Sequence, residues 1–239
     1  MRPIPIFLLL LLISSCSGRA PSGLWADPSL DAQSLKEGIV IGGVVDFTAE
    51  RDLFDQQRDA RILEAVFADK RPTLARTPWS TARSLLDPDS LDAILESYRR
   101  TGRLSAKQLA TLKPLTARGR YLALVRIDLD QTSWAYPRRV RESIDRTVVD
   151  LEPESRRTMS MLFDLYDLST SRLAYTMPVE RTGIEHGNTR TVEGIDNVPT
   201  EHEVREAMED IDRSSERPEP AERGGLIKGA LTECISHLP

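Results

Sequence analysis

Three stretches of this chain alternate apolar and polar residues with a period of two, as a strand with one buried face does. Over residues 120–130, Tyr121, Ala123, Val125, Ile127 and Leu129 share one face, and Arg126, Asp128 and Asp130 the other. Met159, Met161, Phe163 and Leu165 repeat the pattern, as do Leu173, Tyr175, Met177 and Val179. The short polar connection Asp167–Ser171 between the last two predicts an antiparallel hairpin. A further strand is expected over Gly38–Phe47, a β-branched run in which Gly42 and Gly43 read as a bulge. Val148–Leu151 suits another, preceded by an Arg-rich loop.

A period of 3.6 takes over elsewhere. A helix is expected from Ala49 to Asp69, capped by Thr48 and ended by Pro72, with Leu53, Phe54, Ile62, Leu63, Val66 and Phe67 as its buried stripe. Residues 73–86 read as a short strand around Leu74 and then a loop holding Trp79. Asp87 before Pro88 opens a helix with Leu91, Ile94, Leu95 and Tyr98 on one face and Gly102 as its stop. Ser105 and Gln108 form a capping box stapled by Leu104 and Leu109, and Thr200 with Glu203 forms another, opening a helix that shows Val204, Met208 and Ile211. Residues 213–223 read as a disordered linker. The final segment carries apolar rows at i,i+4 on one broad face, which should dock on the domain and bury Cys234.

The amino terminus follows a different logic. Arg2 precedes the apolar run Ile6–Ile13, which is too short to span a bilayer core of about 20 residues. Ser14, Ser15 and Cys16 follow it directly, and this layout resembles a bacterial lipoprotein export signal, in which the cysteine becomes the first mature residue and carries acyl chains. Two or more chains give stable anchoring where one gives only marginal binding. Cleavage after Ala20, releasing a soluble protein, or an unmodified Cys16 are the competing readings. Ser17 stands where the resemblance reserves Asp for inner-membrane retention, which implies the periplasmic face of an outer membrane. The expected organisation is a signal over 1–15, a tether over 16–35, an α/β domain over 36–183, a polar, partly disordered segment over 184–223 and a docking helix over 224–239.

Charge and rare residues narrow the chemistry. Only Arg2 is charged in the signal, so its removal takes the formal net charge from −5 to −6, with no electrostatic footprint for nucleic acid. Besides Cys16 the chain has only Cys234. His186, His202 and His237 are the three histidines, two of them beside glutamates in polar stretches, and the spacing is not that of a compact zinc site. No cofactor, metal or small-molecule ligand is expected. Asp128, Asp130, Asp164 and Asp167 lie at strand ends; they read as solvated outer-face residues, or as paired carboxylates for acid–base work. Arg138, Arg139, Arg141 and Arg146 read as an exposed loop, or as a basic patch for an acidic partner or anionic head groups.

The order of elements, with the strand Tyr121–Asp128 and the hairpin Met161–Tyr175, resembles the α/β domain of periplasmic lipoproteins related to CsgG, LpoB and the amino-terminal domain of TolB. The resemblance covers residues 36–180 and the terminus. It implies scaffolding, channel assembly or activation of envelope enzymes, and offers no catalytic residue to carry over. The expected fold is therefore α/β (α+β): a single mixed or antiparallel sheet of four to five strands packed by three to four helices, with a C-terminal amphipathic helix. The expected function is that of a non-enzymatic, lipid-anchored module binding another envelope protein, with Cys16 as lipidation site and Arg138, Arg139 and Arg141 as partner contacts. An envelope hydrolase using the strand-end carboxylates and a structural subunit of a secretion or transport complex are the alternatives.

Overall fold

The β-branched run Ile39–Asp46 is buried along its whole length, so it must lie inside a sheet covered on both faces. The structure, a computed structural model, describes residues 23–50, 52–142, 144–194, 198–214 and 217–239. In chain order its elements are β1 (Trp25–Ala26), α1 (Ala32–Leu35), β2 (Ile39–Asp46), α2 (Leu53–Lys70), β3 (Arg76–Thr77), α3 (Trp79–Ser84), α4 (Pro88–Thr101), α5 (Ala106–Thr111), β4 (Tyr121–Ala135), β5 (Arg138–Glu142), β6 (Thr147–Leu151), β7 (Glu154–Asp167), β8 (Arg172–His186), β9 (Arg190–Glu193), α6 (Glu201–Arg213) and α7 (Arg223–Ser236). Six strands form one sheet in the order β1-β8-β7-β4-β2-β3, with β2 parallel to β3 and β4 and the other pairs antiparallel. A second, antiparallel sheet has the order β5-β6-β9.

The mixed α/β class is as expected, but the main sheet exceeds the four to five strands expected and a separate sheet stands beside it. The surplus has a physical reason: β1 and β3 are two residues each, too short to carry a periodic signal. β5 replaces the expected Arg-rich loop, since an edge strand with every residue exposed shows no apolar alternation.

Two apolar layers sandwich the main sheet. On one face Leu63 and Phe67 of α2 and Ile227, Leu231 and Ile235 of α7 cover Val125, Phe163 and Met177. On the other, Leu91 and Leu95 of α4 and Leu109 of α5 cover Val40, Leu122 and Leu124. β4 is thus buried on both faces over its first half rather than on one, and a register shift between Ile127 and Leu129 turns Leu129 outward.

Local chemistry sets the ends of the helices. Asp52, not Thr48, caps α2 by accepting from the Asp55 N–H at 2.8 Å, while the Thr48 hydroxyl donates to Asp46 at 2.6 Å. The helix therefore starts later than expected and its first two residues, Leu53 and Phe54, stay exposed. The caps at Asp87, Ser105 and Thr200 form as expected. So does the bulge in β2, where Gly43 has φ +121° and a Cβ would meet the Trp79 indole nitrogen at 3.0 Å. Trp79 opens α3 instead of lying in a loop, its N–H donating to Glu64 at 2.8 Å.

Residues expected as polar tail and tether carry structure. Val204, Ala207 and Ile211 of α6 pack on Val149, Leu151 and Val192 of the small sheet. Of the stretch read as a linker, Pro218, Glu219 and Ala221 accept through their carbonyls from Trp134, Ser155 and Arg157. In the tether, Trp25 pairs with Thr176.

α7 is locked at its start by charge. Arg223 donates to Asp46 at 3.0 Å, to Asp130 at 3.2 Å and to Asp59, all four side chains being almost fully buried. Arg157 grips Asp130 through two further bonds at 2.7 and 2.8 Å. Replacing Arg223 by Ala strands buried carboxylates and should lower the unfolding free energy in urea by about 3–5 kcal/mol. A loss of about 1 kcal/mol or less, the size of an exposed pair, would count against the lock. Burial also pushes the Cys234 thiol up to about 12. Alkylation of the native protein should accordingly be negligible and become rapid only in denaturant; fast labelling of folded protein would contradict the packing of α7.

Candidate functional site

Cys16 lies outside the described residues. The arginines singled out with it all sit on β5, which hydrogen-bonds to β6 on one side only among the described residues. Arg138 pairs with Glu201 at 2.9 Å and Arg141 with Asp150, while Arg139, exposed, stands opposite Asp150 in the register. Arg146 pairs with Glu193 at 2.8 Å. The sheet thus gathers the arginines as strand neighbours and carboxylates from β6, β9 and α6 neutralise three of the four.

Of the strand-end carboxylates, Asp130, Asp164 and Asp167 are buried and held in different bonds, contrary to the simpler expectation, while Asp128 stays partly exposed. Asp164 lies 1% exposed under α4, where the hydroxyls of Tyr98 and Tyr166 donate to it at 2.9 and 3.3 Å. Burial raises its carboxyl above the ordinary range, and the hydrogen bonds only partly offset this. Asp167 faces Tyr121 in the register. Burial raises its carboxyl, but hydrogen bonds from Arg120, Ser169 and Thr170 outweigh this and hold it low. Asp130 belongs to the Arg223 lock, nine residues along β4 from Tyr121, or about 30 Å of strand. Asp128 pairs with Arg126 at 2.6 Å. Alternation alone placed these residues on an open face because it could not reveal the second layer of helices.

What the fold does build is a cleft of about 530 Å³ at the carboxyl end of β2, between the start of α2 and α4. In open α/β sheets ligands bind at such strand ends, where successive connections leave to opposite sides. Its polar lining is Asp46, Glu50, Arg83, Asp92, Glu96 and Arg99. Four of these charges pair with one another: Arg83 holds Asp92 at 2.6 and 2.9 Å, and Arg99 holds Glu96 at 2.6 and 2.8 Å. Bonding from Arg99, then from Arg100, keeps Glu96 at about 2, so it stays ionised at neutral pH.

Three large apolar side chains near it stand in solvent: Leu53, 54% exposed, lines the cleft, Phe47, 51%, follows its Asp46, and Phe54, 72%, lines a neighbouring groove with Ile62 and Lys228. The Arg126 guanidinium lies 5.8 Å over the Phe47 ring. Reading Leu53 and Phe54 into the buried stripe missed this surface. The signal was present, because their i+4 positions are Gln57 and Arg58, whereas the buried half of the helix keeps apolar partners.

His186, His202 and His237 lie on three separate elements or their ends. Among the described residues no group of three or more His, Cys, Asp or Glu is placed to hold a metal ion, and no helix is long and apolar enough to cross a membrane.

No family model matches the chain, and no curated protein matches it in sequence. Solved structures are similar at low identity. A point variant of the PelC dodecamer from Paraburkholderia phytofirmans is 11% identical, covers 90% of this chain and 93% of its own, and gives a TM-score of 0.37. Lipoprotein GNA1162 from Neisseria meningitidis is 10% identical over 74% of this chain and 99% of its own, with a TM-score of 0.30. The C-terminal domain of LpoB from Salmonella enterica is 6% identical over 64% and 87%, with a TM-score of 0.31. Bacterial lipoproteins are thus among the structures this chain is similar to.

Asp164 yields a test by titration. A carboxyl whose folded value is raised binds its proton more tightly in the folded state, so its contribution is full below the unfolded value near 3.8 and is lost as pH rises through the folded value. Stability of the wild type relative to Asp164→Asn, from urea melts, should fall as pH rises through that window. A difference independent of pH, or one rising with pH, would overturn the assignment.

Proposed function

We propose that this chain is a lipid-anchored envelope lipoprotein whose folded body binds a protein partner and performs no chemistry of its own. Cys16 carries the anchor, and Ser17 behind it favours the periplasmic face of the outer membrane. The observation that supports partner binding most directly is the exposed trio Phe47, Leu53 and Phe54 beside the cleft. Apolar groups gathered in solvent mark interaction sites, and aromatics are enriched at the centre of interfaces. The paired charges of the cleft would form a polar border around that centre. On β5, exposed Arg139 supplies a second contact suited to an acidic partner, flanked by Arg138 and Arg141, which are held by Glu201 and Asp150.

The hydrolase reading has less to support it. A general acid and base need a shared cleft, yet Asp130, Asp164 and Asp167 are buried in separate structural bonds. The reading as a subunit of a larger complex shares the assembly idea and differs only in the partner.

Two measurements test the proposal separately. Metabolic labelling with a fatty acid should mark the wild type and fail with Cys16→Ala; equal labelling of both would remove the anchor. Crosslinking in intact cells followed by mass spectrometry should capture an envelope protein with the wild type. Phe54→Ser, with unchanged thermal stability, should lower its yield several-fold. An undiminished yield from Phe54→Ser and from Phe47→Ser would move the contact away from this surface.

A further inference from the structure

Among the described residues, the longest open strand edge is the outer side of β8. Among the described residues β1 pairs only with Tyr175 and Thr176, and no strand pairs with the outer side from Pro178 to His186. Two features stop β1 there. Pro178 has no N–H to offer, and Gly23, opposite it, takes φ +90° with its Cβ position 2.8 Å from the Pro178 ring. The Asp27 N–H donates to the Ala174 carbonyl, so even-numbered residues of β8 direct their backbone groups outward. Glu180, Thr182, Ile184 and His186 therefore present donors and acceptors that no strand among the described residues pairs, over one continuous stretch, and Ile184 is exposed.

We propose that this edge pairs with the same edge of a second copy, antiparallel about a two-fold axis at Gly183. The charges select the register. Centred there, Arg181 faces Glu185 of the other copy, Glu180 faces His186, and Thr182 covers Ile184, each twice. Shifting the axis to position 181 or 180 sets Arg181 against itself or Glu180 against itself. Centres at 182 or 184 bring no opposite charges together. Opposite charges and β-branched pairs across strands stabilise pairing, and like charges oppose it. Arg181 also reaches Glu233 of its own α7, on the same face as Glu185, so it is already held near the edge. This names a second copy as a partner and rests on the assembly reading above. Confinement to a membrane would raise the effective concentration of the edges.

The test uses the full acylated chain in detergent, by sedimentation at several concentrations. Wild type should form a dimer. Arg181→Glu and Glu185→Arg alone should each associate about tenfold more weakly or worse, because each faces like charge in its own dimer. Mixed in equal amounts they should dimerise again, since both cross-strand pairs become complementary in the heterodimer. Co-residence in one micelle is indifferent to that swap. If the Arg181→Glu variant fails to fold beside Glu233, Ile184→Pro is the second probe. It removes one outward N–H without touching the bonds to β7, and should abolish the dimer at unchanged thermal stability. A monomeric wild type, dimers in all variants, or a mixture no better than its parts would overturn the edge pairing. Fatty-acid labelling of Cys16 and capture through Phe54 stand or fall independently.

Discussion

Three carboxylates from three different elements converge on one guanidinium, and that convergence decides where α7 sits. Asp46 closes β2, Asp59 lies on α2, and Asp130 lies on β4 beyond the shift that ends its buried half. None can stay ionised in an apolar layer without a partner. Arg223 reaches all of them because its planar head carries donors in several directions, which the single ammonium of lysine would not match. Arg157 supplies the second positive charge. The apolar rows of α7 then fall on the sheet beside α2, so the electrostatic lock sets the register of a surface that packing alone would leave free to slide.

The same pairing governs the upper edge of the molecule. Asp46 belongs both to the lock and to the lining of the cleft, so the cleft is anchored by the core. Around it Arg83 is paired with Asp92 and Arg99 with Glu96, while Phe47, Leu53 and Phe54 stay in solvent. Exposed aromatics and a strand edge in solvent are the surfaces on which the proposed partner binding would draw.

Much of this was readable from the residues, and the failures are informative. The alternating runs of β4, β7 and β8, the bulge at Gly42–Gly43 and three helix caps were visible because each depends on nearest neighbours along the chain. Elements of two residues were invisible, as was β5, whose partners are supplied by distant segments. Asp130, Asp164 and Asp167 looked solvated because an alternating strand reveals one covered face and is silent about the other. Phe47, Leu53 and Phe54 were misassigned since apolar character was counted without asking for i+4 partners. Cys16 lies outside the described residues, so its reading rests on its flanks alone.

α7 comes after every other element, and this orders events in time. A chain that emerges amino terminus first presents the sheet face over Phe163, Tyr175 and Met177 bare until Ile227, Leu231 and Ile235 arrive. Over the same interval Asp46, Asp59 and Asp130 lack the Arg223 guanidinium. Among the described elements, the face that α7 covers is therefore the one completed last, when its apolar rows and Arg223 arrive together.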